Sequence, residues 1–148
     1  MSRGEELQEA LGTVEAGLRG IFRRLKRLTA ERATELHPDL LPGSYAVLRW
    51  LWENGAARGS LLAAEFGIDK AAMSRHLQHL AELGLVDRTT DPADRRASLV
   101  AVADGARELL TQDDEHRRKL WEDRFAGWDA AELQTFAALL ARFDQHAS

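Results

Sequence analysis

The chain has 148 residues, 45% of them hydrophobic, a net charge of −4 and no cysteine. That length buries an ordinary core as one domain or two small subdomains, and the missing cysteines exclude disulfides, thiol sensing and zinc-finger spacings. No apolar run approaches the ~20 residues that cross a bilayer and residues 1–6 lead into no signal-peptide core, so a cytoplasmic protein without membrane association is expected.

The acidic balance weighs against nucleic-acid binding, which needs local cations. Residues 58–96 are neutral as well, with six cations (Arg58, Lys70, Arg75, Arg88, Arg95, Arg96) against six anions (Glu65, Asp69, Glu82, Asp87, Asp91, Asp94). A DNA surface in this chain must come from where charges are placed, not from their excess.

Leu7, Leu11, Val14, Leu18, Ile21, Leu25 and Leu28 recur at spacings of 4, 3, 4, 3, 4 and 3, a heptad seam that predicts a long first helix. Gly12, Gly17 and Gly20 weaken it by up to ~1 kcal/mol each, so it needs partners. Arg19, Arg23, Arg24, Lys26 and Arg27 make its second half basic, as a solvated face or a secondary phosphate contact. His37-Pro38 and Pro42-Gly43 bracket a short loop. A second helix follows from Ser44, with Tyr45, Leu48 and Leu51 or Trp52 on one face, and ends near Asn54 and Gly55.

The stretch 60–102 organises the rest. Ser60 is expected to cap a short helix that buries Leu61, Leu62 and Phe66. Gly67 ends it in a left-handed turn that Ile68 plugs. Asp69 caps the next helix, whose buried stripe is Met73, Leu77, Leu80 and Leu83 and which stops at Gly84. Its outer face carries Lys70, Ser74, Arg75, Gln78 and His79. A short helix that presents small, polar and cationic groups after a glycine turn has the form of a DNA recognition helix. Strands at 86–90 and 97–102 then form a hairpin joined by Asp91-Pro92-Ala93-Asp94-Arg95-Arg96. Two arginines at an exposed tip suit a narrow minor groove. The alternative is a tip tied down by ion pairs from Asp94.

A long helix is expected from about Asp104 toward Phe125, and Asp129 caps a last one with the stripe Leu133, Phe136, Leu140 and Phe143. Residues 111–119 hold no apolar side chain. They predict a solvated bridge between two packed bodies, anchored by Leu109 and Leu110 on one side and by Leu120, Trp121, Phe125 and Trp128 on the other. Residues 1–42 and 106–148 are thus expected to form a helical dimerisation region and 43–105 the recognition unit. The apolar terminal helices call for a homodimer; the alternative is a monomer whose ends pack on the central unit.

From about residue 60 to 110 the chain resembles the winged-helix domain of the MarR (multiple antibiotic resistance regulator) family. The matching residues are Leu62-Ala-Ala-Glu-Phe-Gly67-Ile68, Met73-Ser74-Arg75-His76-Leu77, Leu83-Gly84-Leu85-Val86-Asp87-Arg88 and the wing signature Asp91-Pro-Ala-Asp94-Arg95-Arg96. The flanking helices agree in length and order. The resemblance implies a mainly α fold with a small β-hairpin wing, a winged helix-turn-helix whose terminal helices form a dimerisation body. It also implies a dimeric DNA-binding regulator, usually a repressor, often released by a small aromatic or phenolic effector. The family's wing runs into Leu-Thr-x-x-Gly, where the Thr caps the next helix. Here the stretch is Val102-Ala103-Asp104-Gly105-Ala106, so that cap shifts to Asp104 or is lost.

The expected DNA contacts are Ser60, Lys70, Ser74, Arg75, His76, Gln78, Arg95 and Arg96, on double-stranded DNA. His76 and His79 have packing as their rival role. His37, Tyr45, Trp50 and Trp52 are the candidate effector-binding residues, although aromatics at helical spacing more often build a core. No cofactor is expected, and no metal, because His37 and His116 belong to no ligand pair at i, i+4. An enzyme is not expected in the absence of a phosphate loop, a nucleophile elbow or a carboxylate–histidine cluster. The alternative function is a winged-helix protein-interaction module without specific DNA binding.

Overall fold

The computed structural model describes residues 1–145. The chain divides into two compact units, Met1–Asp113 and Asp114–Ser148.

In the first unit, helix α1 (Arg3–Leu36) opens on a capping box. The Ser2 hydroxyl accepts the Glu5 N–H, and the Glu5 carboxylate accepts the Ser2 N–H. Ala33 and Leu36 bury its end, whereas Leu7, Leu11, Val14 and Ile21 of the heptad seam stay exposed, as does the neighbouring Phe22. Helix α2 (Pro42–Asn54) begins two residues before Ser44, because Pro42 suits the first turn, where its missing N–H has no helical partner to lose.

Strand β1 (Ala57–Arg58) leads directly into helix α3 (Gly59–Phe66), and α4 (Lys70–Glu82) follows. Strands β2 (Val86–Asp91) and β3 (Asp94–Val102) complete an antiparallel sheet in the order β1-β3-β2. Ala57 pairs with Val100 and Arg58 with Leu99, while β2 runs against β3 from Val86–Val102 to Thr90–Ser98. The sequence shows no sign of β1, since two residues carry no periodicity. Leu48, Leu51, Leu62, Met73, Leu77, Leu80, Leu85 and Val100 fill one core beneath the helix-turn-helix and the sheet.

After β3, a 3-10 turn at Asp104–Ala106 precedes helix α5 (Arg107–Arg124). Of the two outcomes open for the cap, it is lost and not shifted to Asp104. Ala103 stands at the N-cap with no side-chain bond, and the Asp104 carboxylate accepts Arg107 Nε at 3.3 Å instead.

The solvated bridge expected over 111–119 needs a correction at Asp113, which is fully buried. Its Oδ2 accepts the Tyr45 hydroxyl at 2.6 Å, and its Oδ1 accepts Arg32 Nε at 2.8 Å and Nη2 at 2.6 Å. Arg49 Nη1 lies 3.4 Å from Oδ2. A buried carboxylate is tolerated when its lone pairs are filled and a cation faces it. Burial works against the Arg32 cation, yet the hydrogen bond and charge of Asp113, with Glu35 adding, hold its pKa above the ordinary value.

In the second unit, Phe125 stacks on Trp121 at 6.0 Å and meets Trp128 edge-on at 5.1 Å, and Phe136 packs on both Phe125 and Trp128. Helix α6 (Ala130–Asp144) starts at Asp129, which forms a capping box with Glu132. None of its residues is buried, and Leu133, Leu139, Leu140 and Phe143 are exposed.

Candidate nucleic-acid interface

Helix α4 is built as its sequence requires. Asp69 Oδ1 accepts the Ala72 N–H at 2.7 Å, and Met73, Leu77 and Leu80 bury one side. Gly67 (φ 61°) and Gly84 (φ 74°) take left-handed conformations at either end of the segment. Lys70, Ser74, Arg75 and Gln78 are all exposed. Lys70, Ser74 and Gln78 follow one another at i, i+4 on one helix face, with Arg75 beside them. Gln78 Nε2 donates to Glu82 Oε1 at 3.2 Å.

His76 does not join this face. Its Nδ1 shares a 2.8 Å hydrogen bond with the buried Ser44 hydroxyl, and its ring lies where a Cβ on Gly43 would stand, with Cε1 at 2.7 Å. His79 Nε2 accepts the Leu41 N–H at 3.4 Å. Two imidazoles one turn apart thus seat α4 on the N-terminus of α2, which is the packing role weighed against DNA contact for His76. The signal was available: His76 falls three residues after Met73 and four before Leu80, on the apolar stripe.

Burial, then the charges of His79 and Arg75, push the His76 pKa below its ordinary 6.5. The folded chain therefore binds that proton less readily than the unfolded chain. The stabilisation is complete above the unfolded value and is lost as pH falls from 6.5 toward the lower folded value. Thermal melts between about pH 7 and about pH 5 should show the native chain losing stability faster than His76→Gln. Parallel profiles would contradict the assignment.

Ser60 is exposed within the first turn of α3 and does not cap it; Arg58 holds the N-cap position, with no side-chain bond to the helix. The helix starts two residues early because the chain leaves β1 directly into it.

The wing also differs from expectation. Only Pro92 and Ala93 lie between the strands, and Arg95 and Arg96 belong to β3. The register runs from Thr90–Ser98 straight to Asp91–Asp94, so residues 95–97 are extra on β3 and face no partner on β2. Such a bulge re-aims side chains out of the ladder. Asp94 Oδ1 accepts the backbone N–H of Arg96 at 3.0 Å, and among the described residues no carboxylate pairs with the side chain of Arg95 or Arg96. Asp91, an expected turn residue, is buried. Its Oδ1 accepts the Ala93 N–H at 2.9 Å, and its Oδ2 accepts Arg58 Nε at 2.6 Å. The Ala93 bond first, then the Arg58 bond, hold the Asp91 carboxyl below its usual pKa.

Residues 40–98 match the profile of the MarR family. The chain is 34% identical over 107 residues to YxaD of Bacillus subtilis (strain 168), an uncharacterized HTH-type transcriptional regulator, with 72% of this chain and 75% of that protein covered. This chain belongs to the MarR family. Two solved MarR structures share its fold. The protein from Bacillus stearothermophilus superposes with a TM-score of 0.77 at 20% identity, covering 93% of this chain and 95% of that one. The protein from Peptoclostridium difficile gives 0.76 at 22% identity, covering 89% and 85%. As a MarR protein the chain is a DNA-binding transcription regulator and not an enzyme.

The residues considered for a MarR effector differ in burial and in partners. Tyr45 is buried, with its hydroxyl on Asp113. Trp50 and Trp52 pack half-buried against the core. His37 ends α1, and its Nδ1 accepts the Asp39 N–H at 3.1 Å. Two surface hollows, one lined by His116, Lys119, Leu120, Asp123 and Arg124 and one by Gly20, Arg23, Arg24 and Arg27, include none of the four. Among the described residues no group of three or more His, Asp or Glu is arranged to hold a metal ion, and no helix is long and apolar enough to cross a membrane.

Proposed function

We propose that this MarR protein is a cytoplasmic repressor that binds a pseudo-palindromic operator as a homodimer. In this reading 1–42 and 106–148 supply the dimerisation region and 43–105 the winged helix. Each α4 enters a major groove, with Arg75 and Ser74 against base edges or phosphate and Lys70 and Gln78 beside them. Arg95 and Arg96 reach the flanking minor groove, and Ser60 meets a backbone phosphate. The two half-sites lie about one helical turn (~34 Å) apart.

The observation that carries the reading is the pairing, in one unit, of an exposed polar and cationic face on α4 with two bulged wing arginines that no carboxylate among the described residues claims. Placement of charge thereby supplies what a net charge of −4 does not. The exposed apolar residues of α1 and α6 support the dimer, because a row of exposed leucines at heptad spacing lowers its free energy on pairing with another helix. Release by a small aromatic or phenolic effector completes the proposal and rests on the family resemblance alone.

The test is binding of Arg75→Ala to a duplex selected from genomic fragments, across a salt series. Loss of a bidentate guanine contact costs about 1–3 kcal/mol, roughly 5- to 150-fold in affinity. Unchanged affinity at every salt concentration would remove Arg75 from the interface. Wild-type binding should itself weaken steeply with salt; a flat response would favour a protein partner over DNA.

A further inference from the structure

We propose that Arg58 and Asp91 form the positioning pair of the wing, joining the start of the helix-turn-helix to the end of β2 and so setting where Arg95 and Arg96 are held. The proposal rests on the DNA-contact role given above to those two arginines.

Arg58 occupies a junction. It is the last residue of β1, paired with Leu99 on β3, and it is also the N-cap of α3. Ser, Thr, Asp and Asn serve best at an N-cap because a side-chain oxygen can accept a free N–H of the first turn. An arginine offers no such acceptor, and none is used here. The guanidinium instead crosses to the wing, where Nε and Nη2 both lie 2.6 Å from Asp91 Oδ2. The Asp91 side chain is only 9% exposed and that of Arg58 40%, so water screens this pair less than one on an open surface. Its partner oxygen, Oδ1, closes the wing turn on the Ala93 N–H. One carboxylate therefore holds both the turn and the arginine.

The place of this contact gives it a function. Asp91 is the residue at which the β2–β3 register breaks, immediately before the residues that bulge. A regular ladder fixes side-chain direction by its own hydrogen bonds, but a bulge disrupts that ladder locally. Arg58 ties the break to β1 and α3, elements that pack in the core through Ala57, Leu62 and Ala63. Asp94, at the edge of the bulge, then secures the Arg96 backbone. Arg58 acts through Asp91; it is not itself a DNA contact in this account.

The test uses the full chain and the selected duplex. Affinities are compared for wild type, Arg58→Gln, Asp91→Asn, Arg95→Ala/Arg96→Ala and their combinations. Arg58→Gln and Asp91→Asn should each weaken binding about tenfold, and combining them should add little. In the Arg95→Ala/Arg96→Ala background neither should weaken binding further. Arg58→Lys should recover part of the loss, since it keeps the charge without the fork. Amide exchange at Ala93 and Arg96 in the free protein should quicken in Arg58→Gln; Asp91→Asn, nearly isosteric, serves the same purpose if that variant does not fold.

If Arg95→Ala/Arg96→Ala loses affinity while Arg58→Gln and Asp91→Asn bind as wild type, the positioning role is overturned and the wing contact stands. A loss from Arg58→Gln that persists undiminished without the wing arginines would make Arg58 a direct phosphate contact and overturn the proposal. Wild-type binding by Arg95→Ala/Arg96→Ala would overturn the wing contact first and the positioning role with it. Unchanged exchange at Ala93 and Arg96 overturns the brace independently of DNA.

Discussion

Asp113→Ala is expected to destabilise the chain by about 3–5 kcal/mol, because it leaves Arg32 and Arg49 without their buried counter-charge. It also strips the Tyr45 hydroxyl of the acceptor it meets at 2.6 Å. Against a typical total of roughly 5–15 kcal/mol, that loss moves the melting temperature down by on the order of 10 °C. Asp113→Asn should fall in between, since the amide oxygen still accepts a hydrogen bond but carries no charge. Melts are to be run at one fixed chain concentration, because association would itself raise the transition. Equal melting of Asp113→Ala and wild type would mean that the buried cluster contributes nothing net. The salt bridge Arg118–Glu115 is a useful control: both side chains are more than 60% exposed, and Arg118→Ala should melt with the wild type.

The second large effect concerns association. Leu11 and Ile21 are 53% and 39% exposed in the single chain. Leu11→Glu/Ile21→Glu should therefore cost the isolated fold little while placing charge along the proposed seam. Sedimentation should show the wild type as a dimer and the double variant as a single chain. Affinity for the full operator should fall at least about 100-fold, because each half-site must then be filled independently. A double variant that stays dimeric and binds as wild type would remove α1 from the association surface.

How much of this was legible in the sequence depends on the range of the physics involved. The recognition helix was, because its cap (Asp69), its stripe (Met73, Leu77, Leu80) and its glycine stop (Gly84) are all local signals. So were the α6 cap at Asp129 and the heptad seam of α1. Asp113 was not. A buried carboxylate and a solvated one look alike in sequence, and its partners Arg32, Tyr45 and Arg49 are 81, 68 and 64 residues away. The Arg58–Asp91 pair was hidden for the same reason, its members being 33 residues apart: Arg58 entered the reading only as a charge and Asp91 as a charge and a turn residue. The wing bulge was hidden because a turn and a bulge draw on the same residue types. His76 is different: its place on the apolar stripe was as visible as its place in a recognition helix, so packing and DNA contact were both open there.

The central claim is that two copies of α4 read one duplex together. Hydroxyl-radical footprinting of the wild-type chain on the selected operator, with the mass of the complex measured on the same sample, tests it most directly. The account predicts two protected patches centred about one helical turn (~34 Å) apart and two chains per duplex. A single patch occupied by one chain would contradict it.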